Sequence, residues 1–163
     1  MPKSNYRIGH GYDVHRLEEG ADCWIGGIKL EHTKGAVGHS DADVVLHVIC
    51  DALLGAMSLG DIGSHFPDTD KKFKGIDSKI LLRNVIEIMK EKHFEVVNMD
   101  VTVMLEKPKL RDHIDTMRKT IAGIVRSDIS SISVKATTTE GLGFIGREEG
   151  VAAHCVCLLK NES

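Results

Sequence analysis

Asp13 and His15 stand two residues apart in the segment Gly9-His10-Gly11-Tyr12-Asp13-Val14-His15. In an extended chain that spacing puts both side chains on one face of a strand. His47 lies in a later segment, running to about Met57, where Val44, Val45, Ile49, Ala52, Leu53 and Ala56 recur at helical spacing. One carboxylate and two imidazoles drawn from a strand and a helix make a three-donor zinc site with a fourth position left for substrate. Gly9 and Gly11 suit a strand that another group approaches closely. His10, His15, His39 and His47 all precede or enter the helix, and sequence order does not choose between His39 and His47.

The chain has 163 residues, enough for one domain, residues 1–163, with a sizeable core. A formal net charge of −3 and a longest basic run of only Lys71-Lys72 with Lys74 exclude a polyanion footprint. Aromatic residues make up 4%, too few for a base-stacking platform, so no nucleic-acid partner is expected. No apolar run is long enough to cross a bilayer, and Met1 to Asn5 is short and polar with nothing of a targeting peptide. A cytoplasmic protein with no membrane partner is the expectation. The four cysteines lack a Cys-x-x-Cys pair and are expected to be buried, inert thiols.

Tyr6 to Leu17 reads as a strand, and Cys23 to Leu30 as two short strands around Gly26-Gly27. Ser40 or Asp41 is placed to cap the first helix, which Gly60 terminates. Asp43, His47 and Asp51 are each four apart and form a polar stripe on an otherwise apolar helix, which implies that the stripe faces a cleft. Asp51, one turn beyond His47, is expected to orient that imidazole. A Gly-, Pro- and Asp-rich loop spans Asp61 to Gly75, and helices are predicted from Ser78 to about Lys92 and from about Arg111 to Val125. Phe94 to Leu105, Ile132 to Thr137 and Val151 to Leu159 read as strands. This order predicts an α+β two-layer sandwich, one mixed sheet covered by helices on one face. The uncovered face needs a partner, so an oligomer is expected.

His32, His93 and His113 sit in polar surroundings and read as surface residues, whereas His154 among Val151, Ala153 and Cys155 reads as a core or interface histidine. Thr137-Thr138-Thr139-Glu140 follows an apolar strand and precedes a glycine-rich piece ending in Arg147. Hydroxyls and amides at a strand end suit phosphate oxygens, and Glu140 suits a hard cation such as Mg²⁺. The loop lacks the Lys-Ser/Thr ending of a nucleotide P-loop.

These pieces together resemble the 2-C-methyl-D-erythritol 2,4-cyclodiphosphate synthases of the non-mevalonate isoprenoid pathway, along nearly the whole chain. The match is carried by RIGHGYDVH from Arg7, GHSDADVVLH from Gly38, DALLGAMSLGDIG from Asp51 and FPDTD from Phe66. It continues with KPK from Lys107, VKATTTEGLGF from Val134 and Gly146-Arg147. The resemblance implies a homotrimer of α/β protomers with active sites between subunits. It implies a metal-dependent phosphorus–oxygen lyase that converts 4-diphosphocytidyl-2-C-methyl-D-erythritol 2-phosphate to the cyclic diphosphate and CMP.

By position, the resemblance makes Asp13, His15 and His47 the Zn²⁺ ligands and so decides against His39. His39 and Ser40 become substrate contacts beside Asp13, Val14 and His15, with His39 near the reacting phosphates. Asp61, Ile62, Gly63, Phe66, Pro67, Asp68, Thr69 and Asp70 match methylerythritol-binding segments. Leu105, Glu106, Lys107, Pro108, Lys109, Leu110 and Arg111 match a cytidine pocket supplied by the neighbouring subunit. Thr137, Thr138 and Thr139 lie along the phosphates, with Thr138 in the place assigned to transition-state stabilisation. Glu140 matches the ligand of a Mg²⁺ or Mn²⁺ that bridges the α- and β-phosphates. Phe144 and Arg147 match residues near a central cavity that holds isoprenoid diphosphates. Two departures stand out: Leu105-Glu106-Lys107 is bulkier and more charged than the pattern, and Glu148-Glu149 makes the cavity region more acidic. Two other readings use the same donors, a zinc phosphohydrolase that activates water and a trimeric binding protein with a closed structural metal.

Overall fold

The computed structural model describes residues 5–67 and 69–162. In chain order the elements are β1 (Tyr6–Glu19), β2 (Cys23–Ile25), β3 (Ile28–Leu30), β4 (Lys34–Val37), α1 (Val44–Ala56), α2 (Ile62–His65), α3 (Ser78–Glu91), β5 (Phe94–Met104), α4 (Ile114–Val125), β6 (Ile132–Thr137), α5 (Gly143–Gly146) and β7 (Gly150–Asn161). Five strands form one sheet in the order β4-β1-β7-β5-β6, and β2 pairs with β3 in a separate hairpin. Only β5 and β6 run parallel, joined through α4, so the sheet is mixed. The expected elements are present. The structure adds β4 and the one-turn helices α2 and α5, too short to leave a periodic signal. Residues Arg111–His113 are a 3-10 turn, so α4 starts at Ile114 and not at Arg111.

Strand β1 alternates cleanly. Gly9, Gly11, Asp13, His15 and Leu17 point to the helices, while Ile8, Tyr12 and Val14 are exposed on the opposite face. Helix α1 packs on β1 and β7, and α3 packs on α1, α4 and β5. The core is filled by α1 residues such as Leu46, Ile49 and Leu53, with Met99, Val101 and Leu159 from the sheet. All four cysteines are free and buried within it, and burial lifts the Cys23 and Cys157 thiols to about 11. They are un-ionised and unreactive at neutral pH.

The two strand glycines set the depth of α1. A Cβ on Gly9 would lie 1.8 Å from the Ala52 carbonyl oxygen, and one on Gly11 would lie 2.0 Å from that of Val48. Both obstacles are backbone, so no side chain can turn aside. Gly11→Ala is therefore expected to cost about 3 kcal/mol, the upper end for overpacking, and to displace His47 next to Val48. Urea unfolding with metal analysis reads both losses; a stability within about 0.5 kcal/mol of the parent would contradict this packing.

The amino end of α1 differs from expectation. Asp43, and neither Ser40 nor Asp41, is the N-cap: its carboxylate accepts from Val45 and Leu46 N–H at 3.1 Å each. The same carboxylate accepts from Gly26 N–H at 2.9 Å and Gly27 N–H at 2.6 Å, tying the β2–β3 hairpin to the helix. Asp43 is fully enclosed, so the polar stripe expected to face a cleft is broken at its first member. Gly26 and Gly27 adopt φ of +64° and +79°, which bare backbone permits and which presents both amides to one carboxylate. No helix among the described residues is long and apolar enough to cross a membrane.

Candidate metal centre and substrate clefts

Strand β1 delivers Asp13 and His15 to its helix-facing side, and α1 delivers His47 against them. Asp13 Oδ2 lies 3.0 Å from His15 Nε2 and 3.1 Å from His47 Nδ1. The two imidazole nitrogens are 2.9 Å apart. These atoms form a nearly equilateral triangle. Tetrahedral zinc with donors at about 2.0–2.1 Å requires donor–donor separations of about 3.3 Å, so the triangle needs only a few tenths of an ångström of expansion. One carboxylate oxygen and two imidazole nitrogens are a donor set that suits zinc. Among the described residues this is the group able to hold a metal, and His39 adds no donor to it. The geometry thus selects His47 over His39.

Burial acts to raise the Asp13 pKa, but hydrogen bonds and charge from His15 and His47 outweigh it and hold the carboxyl well below the usual carboxylate range. Its other oxygen accepts from Val14 N–H at 2.8 Å. On the far side of His47, Nε2 lies 3.0 Å from both Ser40 Oγ and Ser78 Oγ. Ser78, the first residue of α3, is fully buried and donates its hydroxyl to Asp41. Sequence reasoning assigned Ser78 only to the start of a helix and Asp41 only to a cap. Their second use spans 37 residues and leaves no local signal.

Asp51 does not take the place expected of it beside the His47 ring. Its Oδ1 accepts from Ile62 N–H at 2.7 Å, which fixes the start of α2. That contact brings Ile62 and Gly63 to the mouth of the metal triad. Asp13, His15, His39, Ser40, His47, Ile62, Gly63 and Phe66 line one cleft of about 360 Å³ together with Phe73, Ile76 and Leu81. Asp61 caps α2 by accepting from Ser64 N–H at 2.8 Å, and Asp70 caps the turn at Lys71–Phe73. Pro67 and Thr69 are exposed nearby in sequence, and Asp68 lies outside the described residues.

A second cleft of about 790 Å³ is lined by Leu105, Pro108, Lys109, Leu110 and Arg111 together with Thr137 and Thr138. Here the segment after β5 meets the end of β6, with Leu105 N–H donating to Thr137 O at 3.0 Å. The two charged departures are both engaged. Glu106 accepts from Thr139 N–H at 3.3 Å, and Lys107 pairs with Glu148 at 3.1 Å. Glu140 follows at a φ of +54° with its side chain in solvent. Phe144 and Arg147 line a third cleft of about 600 Å³ with Val14, His15, Arg16 and Lys34. Arg147 is held by Glu149 through contacts of 3.0 and 3.1 Å. The chain therefore gathers the triad, His39 and Ser40 in one cleft and the segment from Leu105 to Arg111 with Thr138 in another.

Residues 6–160 match the family model described as the YgbB family. The chain is 56% identical over 157 residues to the 2-C-methyl-D-erythritol 2,4-cyclodiphosphate synthase of Porphyromonas gingivalis, covering 96% of this chain and 97% of that protein. Its fold is similar to the bifunctional IspDF of Campylobacter jejuni, with a TM-score of 0.93 and 44% identity over 98% of this chain, which spans 43% of that longer protein. It is also similar to IspF of Plasmodium falciparum, solved as a CDP complex, with a TM-score of 0.86 and 32% identity over 99% of this chain and all of that one (100%). A strand–helix triad open on one side, a hydroxyl-lined second cleft and likeness over nearly the full length converge, and the chain belongs to the YgbB family, the 2-C-methyl-D-erythritol 2,4-cyclodiphosphate synthases of non-mevalonate isoprenoid biosynthesis.

Proposed function

We propose that this chain, acting as one domain over residues 1–163, converts 4-diphosphocytidyl-2-C-methyl-D-erythritol 2-phosphate to 2-C-methyl-D-erythritol 2,4-cyclodiphosphate and CMP in the cytoplasm. An oxygen of the 2-phosphate attacks the β-phosphorus of the same molecule. The bond from the β-phosphorus to the bridging oxygen breaks, and that oxygen leaves on CMP. The observation that carries this reading is the one-sided donor triangle of Asp13, His15 and His47 in a cleft that also holds His39 and Ser40.

No side chain need act as nucleophile, because the attacking group belongs to the substrate. The obstacle is charge: two unit charges about 4 Å apart repel by roughly 4 kcal/mol at an effective dielectric near 20. Zn²⁺ on the triad and Mg²⁺ or Mn²⁺ on Glu140 would supply positive charge at the phosphates. His39 and Thr138 would donate hydrogen bonds where negative charge grows, and positioning supplies most of the rest. Asp61, Ile62, Gly63 and the 66–70 segment, Asp68 included, would hold methylerythritol. Residues 105–111 would hold cytidine, largely through backbone groups.

The two clefts lie apart in one protomer, which favours a homotrimer whose active sites combine the triad of one subunit with Thr138 and Glu140 of the next. The bare sheet face favours the same assembly, since Ile8 is 74% exposed there and Tyr12, Val14 and Val156 accompany it. Phe144 and Arg147 would then border a central cavity suited to an isoprenoid diphosphate.

Incubation with the cytidine substrate, followed by chromatography, is expected to yield CMP and a cyclic diphosphate, and neither in the presence of chelator. A linear phosphate carrying solvent oxygen would instead mean hydrolysis. Glu140→Ala is expected to keep its zinc but to lose most turnover, with partial rescue by excess Mn²⁺. Normal turnover of that variant at low Mg²⁺ would remove Glu140 from the mechanism.

A further inference from the structure

The hydrogen bonds behind His47 distinguish its two nitrogens. Ser78 Oγ carries one proton. It donates that proton to Asp41 Oδ1, an acceptor-only group when ionised. Towards His47 Nε2, at 3.0 Å, Ser78 can then only accept. That contact is satisfied when the ring proton sits on Nε2, and Nδ1, 3.1 Å from Asp13 Oδ2 and 2.9 Å from His15 Nε2, is then the nitrogen whose lone pair is open to an ion seated among them.

Asp41 is itself held at both oxygens. Its Oδ2 accepts from Ser78 N–H at 3.1 Å and its Oδ1 from Asp43 N–H at 3.2 Å. One carboxylate therefore joins the first residue of α3 to the residue that caps α1, and it sets the hydroxyl between them. Ser40 Oγ also lies 3.0 Å from His47 Nε2 and accepts from Ala42 N–H at 3.1 Å; it is the more distant of the two acceptors near the Ser78 hydroxyl, at 3.3 Å, and it lines the open cleft. Ser78 is fully buried, so no water competes for its hydroxyl.

We propose that Asp41 and Ser78 are a positioning pair that holds the His47 imidazole as its Nε2–H tautomer and so presents Nδ1 to the metal. This rests on the reading of Asp13, His15 and His47 as the metal-holding triad. Neither residue touches substrate in this scheme. They act on catalysis only through His47, by removing the alternative tautomer and ring rotamer that would turn a proton towards the ion. Hydrogen-bond partners of this kind are worth about 10–100-fold in metal affinity.

The test is zinc affinity, measured by chelator competition on the full chain, with circular dichroism to establish folding. Ser78→Ala and Asp41→Asn are expected to weaken zinc binding by about 10–100-fold relative to the parent. If the folded variants bind zinc within about twofold of the parent, the positioning role is wrong while the triad stands. If the parent binds no zinc that His47→Ala abolishes, the triad reading itself fails, and this inference with it. Should both variants fail to fold, ring nitrogen NMR on the zinc-loaded parent decides. A protonated Nε2 with zinc on Nδ1 supports the pair, and zinc on Nε2 overturns it.

Discussion

His47→Ala is expected to bind no zinc at the triad and to release CMP at least about 10³-fold more slowly than the parent chain. Removing Nδ1 leaves Asp13 and His15 as a two-donor site, below the three protein ligands that a catalytic zinc keeps. Loss of the charge that a metal supplies to phosphoryl oxygens is worth several kcal/mol, and each 1.36 kcal/mol is about tenfold in rate. The fold should survive, because His47 sits at the cleft wall and most of the α1 face beneath it is independent core. Metal analysis and CMP chromatography on the same sample provide the check. A metal-free His47→Ala that turns over at the parental rate would refute the assignment.

The largest stability effect is expected at Asp43. Asp43→Ala should lose about 5 kcal/mol, because four amides lose the carboxylate acceptor they share. The Val45 and Leu46 N–H groups lose a helix cap, worth up to about 2 kcal/mol. The Gly26 and Gly27 N–H groups are left buried without a partner, at about 1–3 kcal/mol each. A loss of that size approaches the whole stability of many domains, about 5–15 kcal/mol, so insoluble or unfolded protein is an acceptable result. Asp43→Asn should retain part of the stability: one amide oxygen can still accept, but its NH₂ meets a backbone N–H. Burial pushes the Asp43 carboxyl pKa up, and the N–H donors of Gly27, Gly26 and Leu46 oppose that push. Urea unfolding of soluble Asp43→Ala with a loss under about 1 kcal/mol would contradict this account.

The candidate site residues stood out in the chain because several of their features are local. The Asp13–His15 spacing, the helical period through Val44 to Ala56 and the Thr-rich strand end each lie within a dozen or so residues. Alternation in β1 was legible for the same reason. What escaped were contacts made across long stretches of chain. Asp41 and Asp43 look alike as acids ahead of a helix, yet one is a fully enclosed cap and the other holds a buried serine. The stripe of Asp43, His47 and Asp51 had the right period, but His47 alone of the three lines the cleft. Its three members face the hairpin amides, the metal triad and the amide of Ile62 in turn.

The sequence by itself determined the family, the order of strands and long helices, and the donors from which a metal site could be drawn. These follow from residue type and short-range spacing, which local backbone geometry converts directly into faces. Only the tertiary structure brought the donor atoms of Asp13, His15 and His47 to within 3.1 Å of one another, set Ser78 and Asp41 behind His47, and put Thr138 in a different cleft. Those outcomes depend on how closely α1 can approach β1 at two glycines and on where α3 begins in space. Packing at that range joins residues more than thirty positions apart, and no periodicity in the chain encodes it.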